Sequence, residues 1–348
     1  METRRIPAGP DRGHAARWWR PLEGGRVLCE LCPRDCRPAP GQPGFCLVRR
    51  NQSGKLVTDA WHAGIGFAAD PIEKKPLYHV RPGSRVFSFG TAGCNLGCVH
   101  CQNWGMSQSR AALARMERAT PGMILTAARR QGCQGLAFTY NEPVIFGEFA
   151  LACAESAHAA GLFTVMVSNG YVRLPAAREI YAGIDAANID LKSFRDDFYR
   201  RTARGRLAPV LDFLKWLRRE TTVWLELTTL LIPGRNDDAD EVAELCRWVA
   251  GELGPDTPLH LTAFHPDHRL QDLPRTPATT LLRSRDLALQ AGLRHVYLGN
   301  LPLAEGCDTR CHGCGALLVE RPFTGAARVL VANGACPGCR AAAPGLWD

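Results

Sequence analysis

The segment Gly93-Cys94-Asn95-Leu96-Gly97-Cys98-Val99-His100-Cys101-Gln102-Asn103-Trp104 decides how the rest of the chain is read. Three cysteines at x3 and x2 spacing follow directly on a short apolar run, residues 86–90, that reads as a strand. Thiolates are the usual ligands of iron–sulfur clusters, and a cubane normally takes four. Three close thiolates hold three irons and leave the fourth open to a substrate or cofactor, the same logic that separates open from closed zinc sites. On the triad alone, the alternative is a zinc site completed by a distant fourth ligand.

Outward from this segment, residues 57–300 alternate strand-like and helix-like stretches. Strands are expected at 135–139, 162–168, 184–191, 223–232, 259–264 and 296–298. Helices are expected between them: from the Thr120-Pro121 start to Gly132, then 144–160, 174–182, 207–219, 239–252, and from Thr276-Pro277 to Gly292. Repeated βα units imply a parallel sheet with helices outside. Six or seven units fit an α/β fold of partial (β/α)6, TIM-like barrel type, with a doubly wound sheet as runner-up. In either, the ligand site lies at the carboxyl ends of the strands.

The chain has 348 residues, of which 46% are hydrophobic and 22% charged, which excludes disorder or coiled coil as the main state. No apolar run is long enough for a transmembrane helix, so no membrane association is expected. The formal net charge is +8, but the basic residues are scattered and form no stripe with interleaved aromatics, so no nucleic-acid groove is expected. Residues 1–25 hold five arginines and no apolar core of a secretory signal, and read as a flexible basic tail on a cytoplasmic protein, with Trp18 and Trp19 as candidates to dock on the body. The 15 cysteines are the unusual number. In a reducing compartment, clustered cysteines bind metal more often than they form disulfides. Cys29, Cys32, Cys36 and Cys46 lie in a Pro- and Gly-rich module, residues 26–56, expected to be loop-dominated and dependent on metal for folding. The four thiolates suit zinc or an auxiliary [4Fe–4S] cluster equally. Cys311, Cys314, Cys336 and Cys339 form two Cys-x2-Cys knuckles in residues 303–348, with β-like residues between them. This spacing suits a zinc ribbon, with rubredoxin-like iron as the alternative. Cys133, Cys153, Cys246 and Cys307 read as bystanders.

Cys-x3-Cys-x2-Cys after the first barrel strand resembles the radical S-adenosylmethionine (SAM) superfamily. Later strand ends strengthen the resemblance: Thr139-Tyr140-Asn141-Glu142-Pro143, Ser168-Asn169-Gly170, Asp190-Leu191-Lys192 and Phe264-His265-Pro266. They are similar to motifs of pyruvate formate-lyase activating enzymes. Asp70-Pro71-Ile72-Glu73-Lys74-Lys75-Pro76-Leu77-Tyr78-His79, Cys101-Gln102-Asn103-Trp104 and Val296-Tyr297-Leu298-Gly299-Asn300 resemble the AmmeMemoRadiSam-system branch.

The resemblance implies a radical SAM core over residues 57–302. It implies a [4Fe–4S] cluster on Cys94, Cys98 and Cys101, whose open iron chelates SAM. A low-potential donor, flavodoxin or ferredoxin, would reduce it. The implied cofactor-binding residues are His100, Asn103, Tyr140, Asn141, Glu142, Ser168, Asn169, Asp190, Lys192 and His265. Among them Asn141 and Glu142 would face the methionyl amine, Ser168, Asn169 and Lys192 the ribose and carboxylate, and His100 and His265 the adenosine. The activity implied is that of an oxidoreductase that takes a hydrogen atom from a substrate, which could be a protein. A glycyl-radical activase and a non-catalytic metal-binding redox sensor are the alternatives, and Memo-like or AMMECR-like proteins are candidate partners. Two departures are visible. His100 stands where the superfamily usually has Phe or Tyr. Val167 stands where activases carry an acid that helps hold a monovalent cation.

Overall fold

The computed structural model describes residues 13–301, 306–322 and 327–347. Its contacts divide into two compact units. The first comprises Val86–Gly97, Cys101–Asp185 and the described part of Met1–Asp70; the second comprises Pro71–Arg85, Cys98–His100 and the described residues from Ala186 onward. These units cut across the zones expected from sequence. The cysteine-rich residues 26–56 share the first unit with three strand ends, and the C-terminal knuckles share the second with four.

In the first unit the strands are β1 (His14–Ala15), β2 (Trp19–Pro21), β3 (Val27–Cys29), β4 (Arg49–Gln52), β5 (Lys55–Thr58), β6 (Ala63–Pro71), β7 (Arg85–Gly90), β8 (Glu117–Arg118), β9 (Gly135–Phe138) and β10 (Phe163–Ser168). The helices are α1 (Trp104–Ser107), α2 (Ala112–Arg115), α3 (Pro121–Arg130), α4 (Gly147–Ala159) and α5 (Leu174–Ile180). Strands β7, β9 and β10 form a parallel ladder in which Phe89 lies opposite Phe138, and Phe138 opposite Met166. Nearly every residue of the three strands is buried, as expected of parallel strands inside an α/β fold. Because the strands run the same way in register, their carboxyl ends reach one edge together. The helix start read at Thr120-Pro121 is present: the Thr120 hydroxyl accepts from Met123 N at 3.3 Å, and Pro121 is the first helical residue. The helix expected over 144–160 begins as a 3-10 turn, Pro143–Phe146, before α4 takes over.

Trp18 docks on the body, and the ordered part of the tail extends further than the flexible reading expects. Residues 1–12 lie outside the described residues, but residues 14–21 are built into the fold. β1 pairs with β5, and β2 with β3. The Trp18 indole donates to Glu179 at 2.8 Å, and Arg17 N donates to Glu148 at 2.8 Å. Two adjacent tryptophans bury apolar area and offer N–H donors, which outweighs the local arginine content. The 26–56 module is loop-dominated as expected, with short strands at its two ends. β4 and β5 form a hairpin across Ser53-Gly54, both with positive φ (52° and 85°), the backbone that a two-residue turn matching strand twist requires.

In the second unit β11 (Ala186–Asp190), β12 (Trp224–Leu231), β13 (Leu259–Ala263) and β14 (Val296–Gly299) form a parallel ladder. Its helices are α6 (Asp196–Phe198), α7 (Ala208–Glu220), α8 (Ala239–Trp248) and α9 (Ala278–Gln290). Asp238 caps α8 by accepting from Asp240 N and Glu241 N. β15 (Thr309–Arg310), β16 (Leu317–Glu320) and β17 (Arg328–Val329) make the small antiparallel sheet of the C-terminal module. No helix among the described residues is long and apolar enough to cross a membrane.

The sequence motif at residues 70–79 finds a structural explanation here. Glu226 of β12 is fully buried and accepts from Tyr78 N (2.9 Å), His79 N (2.8 Å), His260 Nε2 (2.7 Å) and Trp224 Nε1 (3.1 Å). Burial works against its charge. The hydrogen bonds from His260 and from the Tyr78 N–H nevertheless hold its carboxyl down at about 2. His79 Nδ1 donates to the Pro344 carbonyl at 2.6 Å, so Nε2 accepts from the Tyr297 hydroxyl, also 2.6 Å away. The ring is therefore neutral, and burial pushes its pKa from 6.5 down to about 4.

A pH dependence follows. Between pH 6.5 and about 4 the unfolded chain binds a proton at His79 that the folded chain refuses. Stability therefore falls as pH is lowered through that window. Chemical denaturation at pH 7 and pH 5 should show a lower unfolding free energy at the lower pH. In His79→Gln that dependence should shrink by up to about 1.4 kcal/mol per pH unit, one proton's worth. An unchanged slope in the variant would show that His79 is not the group responsible.

Candidate active site

The first unit brings most of the sequence-predicted site residues together at the ends of β7, β9 and β10. Asn141, just past β9, reaches back to the cysteine loop. Its Nδ2 donates to Thr91 Oγ1 (3.0 Å) and to the Gly93 carbonyl (2.8 Å), and its Oδ1 accepts from Thr91 N (3.1 Å). Asn169, past β10, donates from Nδ2 to Asn95 Oδ1 at 2.9 Å, with the Cys94 sulfur 3.8 Å from the same nitrogen. Glu142 is buried and joins the two strand ends. It accepts from Ser168 Oγ (2.8 Å), Asn169 N (2.8 Å) and Val144 N (3.0 Å). Both its oxygens are thus engaged by the chain itself, so Glu142 acts as a brace for the neighbouring strand end.

Tyr140 stands at φ +70°, a left-handed backbone that a bulky residue adopts only under constraint. Its hydroxyl donates to Asp70 at 2.8 Å, and its carbonyl accepts from Asn103 Nδ2 at 2.8 Å. Asn103 therefore ties the far end of the cysteine loop to the end of β9. Near the thiols, Leu96 N donates to Cys94 Sγ (3.4 Å), and Ser107 Oγ lies 3.1 Å from Cys101 Sγ. Hydrogen bonds of this kind favour the thiolate form and tune a bound metal centre.

Within the second unit, Cys98 and His100 accompany Asp190 and Lys192 at the end of β11. His100 is only 6% exposed, and its Nδ1 has no hydrogen-bond partner among the described residues. Burial, then Lys192 and His268, push its pKa down to about 3, so the ring is neutral. Lys192 Nζ lies 2.7 Å from Asp190 Oδ2, its N–H donates to the Tyr199 hydroxyl, and its carbonyl accepts from Asn236. Burial disfavours the ammonium charge, but Asp190 and the nearby Cys98 raise its pKa well above the usual lysine range. The sequence reading set Lys192 against a cofactor carboxylate; in the structure Asp190 already takes one of its donors. His265 is half-buried, with Nδ1 3.3 Å from the Pro266 carbonyl. His268, three residues on, lies near enough to His100 to add to the downward shift there.

Sequence reasoning missed several residues. Asn95 is fully buried, donates to the Tyr171 carbonyl at 2.7 Å, and accepts at its own carbonyl from Arg34 Nε at 2.5 Å. Gly93 has φ +91°, and a Cβ there would stand 1.9 Å from the Cys46 carbonyl oxygen. Ser107 and Thr91 were also missed. An asparagine between two cysteines was the available signal for Asn95. Nothing local marked the others, because their partners are distant in sequence.

The C-terminal thiols meet as expected from their spacing. The sulfurs of Cys311, Cys314, Cys336 and Cys339 lie within 4.8 Å of one another, with the pairs Cys311–Cys339 and Cys314–Cys336 at 3.6 Å. Zn–S bonds of about 2.3 Å place tetrahedral sulfurs about 3.8 Å apart, so this group can hold a single metal ion. His312 is not part of it; it lies with Asp256 and His295 instead.

Comparisons with known proteins agree with this geometry. Residues 89–246 match the pattern of the radical SAM superfamily. The chain is 40% identical over 306 residues to an uncharacterized protein of Methanocaldococcus jannaschii, covering 88% of this chain and 91% of that one. It is 24% identical over 237 residues to the isethionate sulfite-lyase activating enzyme of Desulfovibrio desulfuricans, covering 66% of this chain and 72% of that one. Among solved structures, a radical SAM methyltransferase from Sphaerobacter thermophilus aligns with a TM-score of 0.50 at 16% identity, over 62% of this chain and 66% of that one. With its α/β architecture, its mostly parallel sheet and a Cys-x3-Cys-x2-Cys loop at the strand ends, the chain belongs to the radical SAM superfamily.

Proposed function

We propose that Cys94, Cys98 and Cys101 hold a [4Fe–4S] cluster with SAM at its open iron, and that the enzyme uses them to take a hydrogen atom from a substrate. One observation carries the reading. Side chains from two separate strand ends, Asn141 and Asn169, converge on the cysteine loop, and one of them reaches the Cys94 sulfur. A purely structural metal knuckle needs no such support. The donor set fits: a three-thiolate loop, N–H groups aimed at sulfur, and a buried neutral imidazole with an unpartnered nitrogen. Held by Cys94, Cys98 and Cys101, such a cluster would supply the single electron for reductive cleavage of SAM.

The chain's own residues bind and orient. The neutral His100 presents a ring face and one unpartnered nitrogen, which suits the adenine. Lys192 keeps its charge in a buried setting and can share a carboxylate with Asp190 as its fixed neighbour. Glu142 positions Ser168 and Asn169 rather than reacting. Asn141, Asn103 and the strained Tyr140 fix the loop at both ends. His265 would stand toward the adenosine. The electron would come from a ferredoxin or flavodoxin at a potential on the order of −400 mV or below. The C-terminal four-thiolate site is read as zinc, because its sulfur spacing is that of one tetrahedral ion.

A second reading has one observation in its favour, the likeness over two thirds of the chain to a glycyl-radical-enzyme activating enzyme. On that reading the hydrogen atom comes from a glycine of a partner protein. A glycyl radical signal on a candidate partner after anaerobic incubation would decide for it.

The chemistry is tested by anaerobic reconstitution with iron and sulfide, followed by dithionite and SAM. The protein should release 5′-deoxyadenosine and methionine, and Cys98→Ala should release none; equal yields from both would sink the reading. His100→Ala should raise the KM for SAM roughly ten-fold, about 1.4 kcal/mol, with His100→Phe recovering part of the loss. Gly93→Ala should lose iron and product together while the C-terminal zinc stays, since its Cβ would collide with the Cys46 carbonyl.

A further inference from the structure

The four N-terminal cysteines form a site of a different kind from the C-terminal four. All four line one small cavity with Leu31, Phe45, Leu56 and Ile145. Yet among the described residues no three of their sulfurs come within 4.8 Å of one another, whereas all four C-terminal sulfurs do. A tetrahedral zinc draws its sulfurs to about 3.8 Å. A cubane keeps its four ligand sulfurs on the order of 6 Å apart, because an iron stands between each sulfur and the cluster centre. Backbone amides are already turned toward the thiols: Phe45 N lies 3.4 Å from Cys36 Sγ, Arg34 N–H serves Cys32, and Arg49 N–H serves Cys46. The Arg49 side chain, 1% exposed, stands beside Cys29 and Cys46 with its charge paired to Glu148. Apolar walls and N–H···S bonds are the surroundings that stabilise an anionic cluster.

We infer that Cys29, Cys32, Cys36 and Cys46 hold an auxiliary, fully ligated [4Fe–4S] cluster rather than zinc. The site is closed, with four protein thiolates and no open iron, so it takes no SAM. It abuts the catalytic loop, since the Cys46 carbonyl packs on Gly93 and Arg34 bonds to the Asn95 carbonyl. That adjacency suits a one-electron relay from a low-potential ferredoxin or flavodoxin toward the loop.

The test uses the full chain with Cys94, Cys98 and Cys101 all changed to Ala, purified anaerobically and reconstituted with iron and sulfide. It should retain about four irons and about four sulfides per chain, with about one zinc. Its reduced EPR spectrum should not respond to SAM. The parent should hold about eight irons. The complementary variant, Cys32→Ser with Cys46→Ser, should fall to about four, with a spectrum that SAM perturbs. About two zincs with no sulfide in the triple variant would overturn the inference, and so would a single zinc with nothing else. If the catalytic reading alone were wrong, parent and triple variant would carry the same iron, so the two failures are distinguishable. Circular dichroism of each variant separates loss of a cluster from loss of the fold.

Discussion

The carbonyl oxygen of Cys46 occupies the space that any side chain at position 93 would need. This contact sets where the cysteine loop can run. It requires glycine at the residue before Cys94, and it seats the N-terminal module against the loop at the end of β7. Arg34 adds a hydrogen bond to the Asn95 carbonyl, and Arg173 N bonds to the Leu31 carbonyl from beyond β10. The module is therefore packed against the cysteine loop, although the sequence presents it as a separate zone.

Buried polar groups do the remaining work, and they are paired. Arg49 meets both oxygens of Glu148 (2.8 and 3.0 Å), Glu142 joins two strand ends, and Glu226 collects four donors. Breaking one member of such a set strands the others without water, which costs more than the bond itself contributes. These carboxylates hold backbone segments that have no regular ladder of their own: the link between β1 and β2, the turn after β10, and the stretch before β7. Accordingly, much of the chain between regular elements is as buried as the strands.

The strand and helix pattern was legible because apolar runs, Pro at helix starts and Gly at helix ends are local signals. The helix at Thr120-Pro121 and the strand starting near Gly135 follow those signals closely. The tail reads as flexible apart from its tryptophans because the partners of Trp18 and Arg17, Glu179 and Glu148, lie more than a hundred residues away. The same distance explains why Asn95 and Ser107 went unseen while Asn141 and Asn169 were found. The latter sit in recognisable strand-end motifs, and the former have meaning only through their neighbours in space. His100 shows the boundary well. Its place before Cys101 marked it as a site residue, but its neutrality comes from burial and from Lys192 and His268, which only the folded chain brings to it.

By itself the sequence determined the ligand types and their grouping: three thiolates on one loop, four at each end, and strand ends that carry asparagine, glutamate and lysine. Spacing along the chain is enough for this, because a Cys-x2-Cys knuckle and a strand-end loop are local geometries. The tertiary structure decided the distances between sulfurs that separate each set. At the C-terminus the two knuckles close to 3.6 Å, while at the N-terminus the four cysteines line a small cavity in a module packed against Gly93. The physical reason is that a metal centre is selected by the size of the cage its ligands form. The size of that cage is fixed by long-range packing, which cysteine spacing does not encode.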